Sequence, residues 1–524
     1  MKIKVFFLLL LIILNSCVSV QKHNQQITKL HAVKELRNDV DELYNQLKKH
    51  HPKLYQYQNK AFLDFKFDSL KQALVPMNSN DFYKKSAAVV AQMRHGHTSV
   101  KSVDLRKTKE ERKLFFDKKN DFNKLSFEYL QKQLFITNTK EKDSALLYAE
   151  VLKINGDSIS NLVKKYKKRF TADGFNTTFY DKVIGKHFKE LYKRDYNKID
   201  SLALTLQSED STFVKIFKTY SKKALTKKKL KKTDSIKKDS IRKKPVRLSK
   251  AERRKRRKFN KIHGYDIYEK TYTRNLKFIG KDSTVAYMKI KGFENGDFET
   301  FYEQTFETLK KKKTENLIID LRYNGGGRAV EIIDLYSYLT DKEFQFFTKS
   351  EVNSRFPVLN AVYTNTTNLY SKIVVGIASP IIATYRLFKV KKEDGQLYFY
   401  YNTKTKQPNP LNFKGKVYVL INGYSFSASA LLAAYIKANK RATFVGEETG
   451  GAYNGAVAGF SRVHELKNTK VKVKFGVMNL KTPFQQKPDG FGVKPDVEIL
   501  PTLKDRRAKI DPELEWVLKD IEKK

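Results

Sequence analysis

The sequence predicts a layered α/β core preceded by a helical N-terminal domain. From about residue 265 onward, short apolar runs alternate with segments of helical periodicity, the pattern of strands separated by packing helices. Residues from about 30 to 95 instead repeat apolar positions at helical spacing alone, as in Val33, Leu36, Val40, Leu43 and Leu47. Finally, two of the later apolar runs end in small residues, three glycines in one case and a serine-rich turn in the other.

The chain has 524 residues, and at roughly 100 to 200 residues per domain it should hold two to four domains. Hydrophobic residues make up 40% and aromatics 13%, enough apolar surface to offset the conformational entropy lost on folding. The formal net charge is +48. Such a charge raises nucleic acid or an anionic membrane as a partner, and its distribution is informative. The segment 222–261 carries 21 Lys or Arg against three acids, while the remainder is moderately basic and shows neither a Cys/His zinc pattern nor an aromatic-interleaved RNA-binding signature.

Lys2 and Lys4 precede an unbroken apolar run over 5–14, followed by Leu14-Asn15-Ser16-Cys17. Ten apolar residues span about half of a bilayer's hydrocarbon core, so residues 1–17 read as a signal peptide and not as a membrane span. Cys17 occupies the place of the modified cysteine of a bacterial lipobox, which this segment resembles; the alternative is an ordinary signal peptide with a chance cysteine. As the only cysteine of the chain, Cys17 leaves no intramolecular disulfide possible. The expected location is the bacterial cell envelope, lipid-anchored. No acidic cluster follows Cys17, which favours the periplasmic side of the outer membrane.

Residues 18–100 are expected to form the helical domain, ending at Arg94-His95-Gly96-His97-Thr98-Ser99, where glycine breaks the helix and extended structure begins. Residues 101–220 are mixed. Within them, 149–159 reads as a strand, a tight Asn155-Gly156 turn and a helix start, and resembles the corresponding turn of a PDZ domain, so a degenerate PDZ-like module is expected there. The basic segment, bounded at 221–263, cannot bury a core and should be disordered or partly helical. It is a solvated linker, or it contacts anionic lipid or envelope polymer.

The core is bounded at 264–505. Strands are expected over 284–290, 317–321 and 417–421, with helices over 298–309, 330–339 and 429–439; 341–410 lacks this rhythm and reads as an insertion or lid. Residues 506–524 should form a C-terminal helix.

Two strand ends carry the chemistry. Gly325-Gly326-Gly327 follows the strand at 317–321, and glycines there let backbone approach a ligand and free N–H groups for an anion; a plain tight turn would look the same. Ser425, Ser427 and Ser429 lie where the strand at 417–421 turns into a helix. A serine at that point can attack a carbonyl while neighbouring amides hold the oxyanion, or it can merely cap the helix.

The Leu321-Arg322-Tyr323-Asn324-Gly325-Gly326-Gly327 segment, the Ser425-Phe426-Ser427-Ala428-Ser429 segment and the run from Arg441 through Glu447-Glu448-Thr449-Gly450-Gly451 occur in this order. With Gly490-Phe491-Gly492-Val493-Lys494-Pro495-Asp496 they resemble the core of the C-terminal processing peptidase, or tail-specific protease, family and its tricorn-core relatives, over roughly 280–500 plus the segment near His97. The resemblance implies a ClpP/crotonase-like layered core and a serine peptidase without cofactor or metal, acting on polypeptide. Ser427 is then the nucleophile, and the amides of Ala428 and of Gly325 or Gly326 form the oxyanion hole. The lysine that serves as general base in one branch of the family is replaced by Ala452, which cannot accept a proton. His97, in a Gly-His-Thr setting similar to the tricorn-like branch, becomes the base, with His95 as competitor. The acid that orients it is Asp489 by that resemblance, or Glu448 as rival. Asp320, Arg322 and Asp496 read as structural ion-pair or turn residues. Two other readings stand: a catalytically degenerate member that binds peptide or hydrophobic ligands, and a polyanion binder acting through the basic segment. Export argues against nucleic acid as partner.

Overall fold

The computed structural model describes residues 19–139, 144–196, 200–209, 211–222, 248–280, 284–294, 296–358, 361 and 389–523. The expected signal peptide with Cys17, most of the basic segment, and the middle of the 341–410 region lie outside these residues.

The N-terminal region is helical because its apolar residues recur every three to four positions. Val33–His50 buries Leu36, Val40, Leu43, Tyr44 and Leu47 on one face, packing against Lys60–Gln72 and Ser79–Val90. Asn59 and Asn78 cap the latter two helices through their side chains. A short 3-10 turn, Ala91–Met93, ends at Arg94 in the left-handed conformation, and residues 95–98 lead into the strand Ser99–Lys101.

That strand leaves the helical region and joins a sheet of the C-terminal half. It pairs antiparallel with Lys472–Leu480, setting Ser99 opposite Lys474. The helical region is clamped to the same hairpin by the buried Asp39 carboxylate. Its Oδ1 accepts from Asn468 N (3.0 Å) and Nδ2 (2.9 Å), and its Oδ2 from Thr469 N (2.7 Å) and Oγ1 (2.6 Å).

Residues from 118 to 221 build an antiparallel sheet in the order Lys118–Asn120, Thr212–Ser221, Ser201–Gln207, Glu150–Ile154, Gln133–Asn138, Ser126–Leu130. The helices Ile159–Lys167 and Thr178–Asp195 cover it over a core of its own that includes Phe122, Ile136, Ile154, Tyr166, Phe188 and Leu204. The strand, Asn-Gly turn and helix start expected near 149–159 are present: Asn155 and Gly156 have φ of 50° and 87°, and Ser158 caps Ile159–Lys167.

The main sheet has the order Arg274–Ile279, Val285–Ile290, Asn316–Asp320, Lys416–Ile421, Thr443–Gly446, Val497–Glu498. Its first pair is antiparallel and the rest are parallel. Both faces of the central strands are apolar, as a doubly covered parallel sheet requires. Leu317, Ile319, Val417 and Val419 face the helices Phe298–Lys311, Ala329–Ser337 and Ala428–Ala438. Ile318, Tyr418 and Leu420 face Val517, Leu514 and Ile521. This is the layered α/β core that the alternation of strands and helices implied. The C-terminal helix expected over 506–524 is instead two, Leu503–Ala508 and Pro512–Glu522. Lys509 takes a left-handed φ of 57°, and Pro512 opens the second helix behind its Asp511 cap.

The region at 341–410 contributes Ser350–Val352, Val390–Glu393 and Gln396–Phe399 to the sheet containing Lys472–Leu480. Strands of three or four residues are too short to show a periodicity, which is why this region looked featureless. Of the basic segment, Lys250–His263 is a helix with a Ser249–Glu252 capping box. Its C-terminal carbonyls at Lys261 and Ile262 accept from the buried Arg274. Among the described residues no helix is long and apolar enough to cross a membrane.

Candidate active site

The strand Lys416–Ile421 runs into the helix Ala428–Ala438 through a six-residue turn, and Ser427 is its last residue. Ser427 has φ 55° and ψ −125°, a strained backbone for a side chain bearing a Cβ and the mark of a nucleophile presented on a sharp strand-to-helix turn. Its hydroxyl makes no capping bond to the helix, so capping does not account for it. Ser425 serves the structure instead: its Oγ donates to Leu321 O (2.8 Å) and accepts from Asn422 N (3.1 Å).

The glycine turn is pressed against this serine. An added Cβ on Gly326 would lie 2.7 Å from both Phe426 O and Ser427 Cβ, and its φ is 99°, so only glycine fits. Asn324 fixes the turn by accepting from Gly326 N (2.9 Å) and donating to Ile290 O (3.0 Å). The Gly326 amide is therefore occupied. The Gly325 and Ala428 amides donate to no group among the described residues.

His97 reaches this turn from the other half of the chain, its Nε2 2.9 Å from Ser427 Oγ. A stack of rings backs its plane: Phe426 stacks on His97 at 5.0 Å and Phe179 on Phe426 at 4.4 Å. Burial, followed by the positive charge of Lys474, pushes the His97 pKa down to about 4, so the imidazole is neutral at ordinary pH. For Nε2 to accept the hydroxyl proton, Nδ1 must carry the ring hydrogen, yet Nδ1 is buried with no partner. His95 sits elsewhere, packed between His51 (4.4 Å) and Tyr57 (5.1 Å), and makes no bond to Ser427.

Residues 284–499 match the profile of Peptidase family S41. The core is that of an S41 serine peptidase. An uncharacterised protein of Chlamydia muridarum is 28% identical over 169 residues, covering 28% of this chain and 28% of that protein. The chain thus matches under a third of that relative's length. In fold, the chain is similar to mature CPAF complexed with lactacystin, at TM-score 0.58 and 14% identity, covering 93% of this chain and 97% of that one. It is likewise similar to mature CPAF alone, at TM-score 0.57 and 15% identity, covering 93% and 96%.

Within the S41 core the two expected orienting carboxylates stand away from the imidazole. Asp489 accepts from Gln56 Nε2 (2.9 Å), Asn454 Nδ2 (3.0 Å) and its neighbour Gly490 N (2.7 Å). Its short side chain is spent on Gln56, Asn454 and its own loop. Glu448 accepts from Gly492 N (2.6 Å) and Asn176 Nδ2 (3.2 Å), tying two loops together. Neither hydrogen-bonds to His97. Asp320 is fully buried against Arg322, Lys289 and Tyr287, and Asp496 accepts from Phe444 N (2.8 Å) and pairs with Lys437, both structural positions. Ala452, in place of a lysine, is buried beside the turn.

Sequence reasoning missed the segment 171–176, which lies along the His97 loop. It carries no apolar rhythm and no motif, so no signal in the sequence marks it. Asn176 Nδ2 donates to Thr449 O (2.9 Å), and Thr178 Oγ1 to Glu448 O (3.0 Å). The helix Thr178–Asp195 then brings His187 Nε2 to 3.1 Å from Tyr424 OH. The middle sheet region is thereby seated on the nucleophile turn. Among the described residues no cluster of three or more His, Cys, Asp or Glu could hold a metal ion.

Proposed function

We propose that the chain is an endopeptidase that cleaves polypeptides through an acyl-enzyme on Ser427, with His97 as general base. The single observation carrying this reading is the 2.9 Å contact of His97 Nε2 with an Oγ held on a strained turn. In this scheme Nε2 takes the hydroxyl proton as Oγ attacks the scissile carbonyl. The amides of Ala428 and Gly325 then receive the oxyanion. The imidazolium returns its proton to the leaving amine, and water, activated by the same nitrogen, releases the acyl group. Labelling with a serine-reactive fluorophosphonate tests the assignment: the wild-type chain takes the label, and Ser427→Ala and His97→Ala do not. Labelling that survives Ser427→Ala refutes it.

We further propose that the enzyme works in the cell envelope, tethered by lipid on Cys17, facing the periplasm, on exposed tails or partly unfolded envelope proteins. The N-terminal charge and apolar pattern supports the tether. Metabolic labelling with a tritiated fatty acid should mark the wild-type chain and not Cys17→Ser.

The helix Lys250–His263 is proposed to rest on anionic lipid. Arg253, Arg254, Lys255, Arg256, Arg257 and Lys258 are exposed, and none forms an ion pair among the described residues. Phe259, on the same helix, is exposed as well, supplying apolar contact that a membrane surface rewards. Co-sedimentation with phosphatidylglycerol vesicles, but not with phosphatidylcholine vesicles, is expected, and is lost when the four arginines are replaced by glutamine. Equal sedimentation with both vesicle types refutes it.

A further inference from the structure

The His97 loop is held from behind. Residues 171–174 run along residues 94–98: Gly174 N donates to Arg94 O (2.8 Å), Arg94 Nη1 to Gly174 O (3.4 Å), and Thr171 Oγ1 to Thr98 O (2.5 Å). Between these ties, Asp173 Oδ1 accepts the amide of Gly96 at 2.7 Å. Asp173 is 2% exposed, and no Lys or Arg pairs with it among the described residues. Its Oδ2 is shut away without a partner.

A buried carboxylate with no cation is a costly element to keep, and here its hydrogen bond is to an amide of the loop that carries the base. Gly96 stands between His95 and His97, so rotation of its peptide plane swings the His97 ring. The other side of Gly96 is closed: an added Cβ would lie 2.5 Å from Phe426 Cζ and 3.0 Å from Asp173 Oδ1. The loop is pinned between the Phe426 ring and the carboxylate.

We propose that Asp173 is the positioning residue for His97. It holds the Gly96 amide so that Nε2 faces Ser427 Oγ, in place of the carboxylate–imidazole hydrogen bond that neither Asp489 nor Glu448 makes. The backbone is the lever: the acid orients the base without touching it. Burial of this carboxyl raises its pKa to about 7, against the opposing pull of the Gly96 N–H and with no counter-charge to offset it. The inference rests on the peptidase reading of the same site.

The test is the second-order rate of fluorophosphonate labelling of the purified full-length chain, with steady-state peptide hydrolysis and a structure of each variant. Asp173→Ala is expected to label about 100-fold more slowly, the scale of a 1 Å misplacement of a catalytic group. Asp173→Asn, which keeps one acceptor oxygen, should fall between, with KM within about twofold of wild type and the loss confined to kcat. Labelling rates within twofold of wild type in Asp173→Asn and in any folded Asp173→Ala overturn the inference. So does a variant structure in which labelling is slowed while His97 Nε2 stays within 3 Å of Oγ. A wild-type chain that takes no label overturns the peptidase reading instead, so the two failures are distinct.

Discussion

Asp39 accepts both the amide and the hydroxyl of Thr469, at 2.7 and 2.6 Å. A carboxylate on an N-terminal helix thereby grips the hairpin whose strand Lys472–Leu480 receives Ser99–Lys101, two residues beyond His97. The position of the imidazole is thus set by a contact remote from it. Asp39→Ala strands buried donors worth about 1 to 3 kcal/mol each. We expect it to lower stability by about 3 kcal/mol in denaturant titration and to slow labelling of Ser427 in the fraction that remains folded.

Ser427→Gly should behave differently from Ser427→Ala. Both remove the hydroxyl, but glycine alone relieves the left-handed backbone at φ 55°, a strain of about 1 to 3 kcal/mol. Thermal unfolding is expected at a higher temperature for the glycine variant than for the alanine variant. Equal melting of the two would show that the turn stores no strain.

The acid limb of kcat/KM should fall near pH 4. His97 works as a base only when neutral, and burial lowers its pKa to about 4; between pH 7 and 5 the only loss expected is the partial one from protonating Asp173, whose pKa is about 7, and the activity that remains is lost below. Lys474 contributes to that depression, and Lys474→Met should move the limb to higher pH. The same depression makes the unfolded chain the better proton binder between pH 6.5 and 4. Across that window His97 therefore favours unfolding as pH falls. A limb at pH 6.5 in the wild-type profile would contradict the burial of this ring.

Gly96→Ala adds a methyl 2.5 Å from Phe426 Cζ. The Phe426 ring or the loop must shift, at about 1 to 3 kcal/mol for an overpacked site, and His97 is stacked on that ring. A loss of about 100-fold in kcat is expected, measured on a peptide substrate, with a smaller effect on KM.

The main sheet was readable because Leu317, Ile318 and Ile319, or Val417, Tyr418, Val419 and Leu420, are consecutive residues that only a doubly covered strand can bury. The serine and glycine turns were readable because a small residue at a strand end has few reasons to be there. The support around His97 was not. Asp173 acts through the amide of Gly96, and an amide has no letter in the sequence. Asp489 and Glu448 drew attention as acids near the motifs, but their oxygens are taken by Gln56, Asn454 and Asn176, partners that only the folded chain supplies.

The 330 residues between His97 and Ser427 have a consequence for biosynthesis. A ribosome completes the imidazole long before it reaches the hydroxyl, and the hairpin that seats Ser99–Lys101 is made later still. A nascent chain that ends before residue 427 cannot bring the two groups together, and the contact waits for the later strands to close over the first ones.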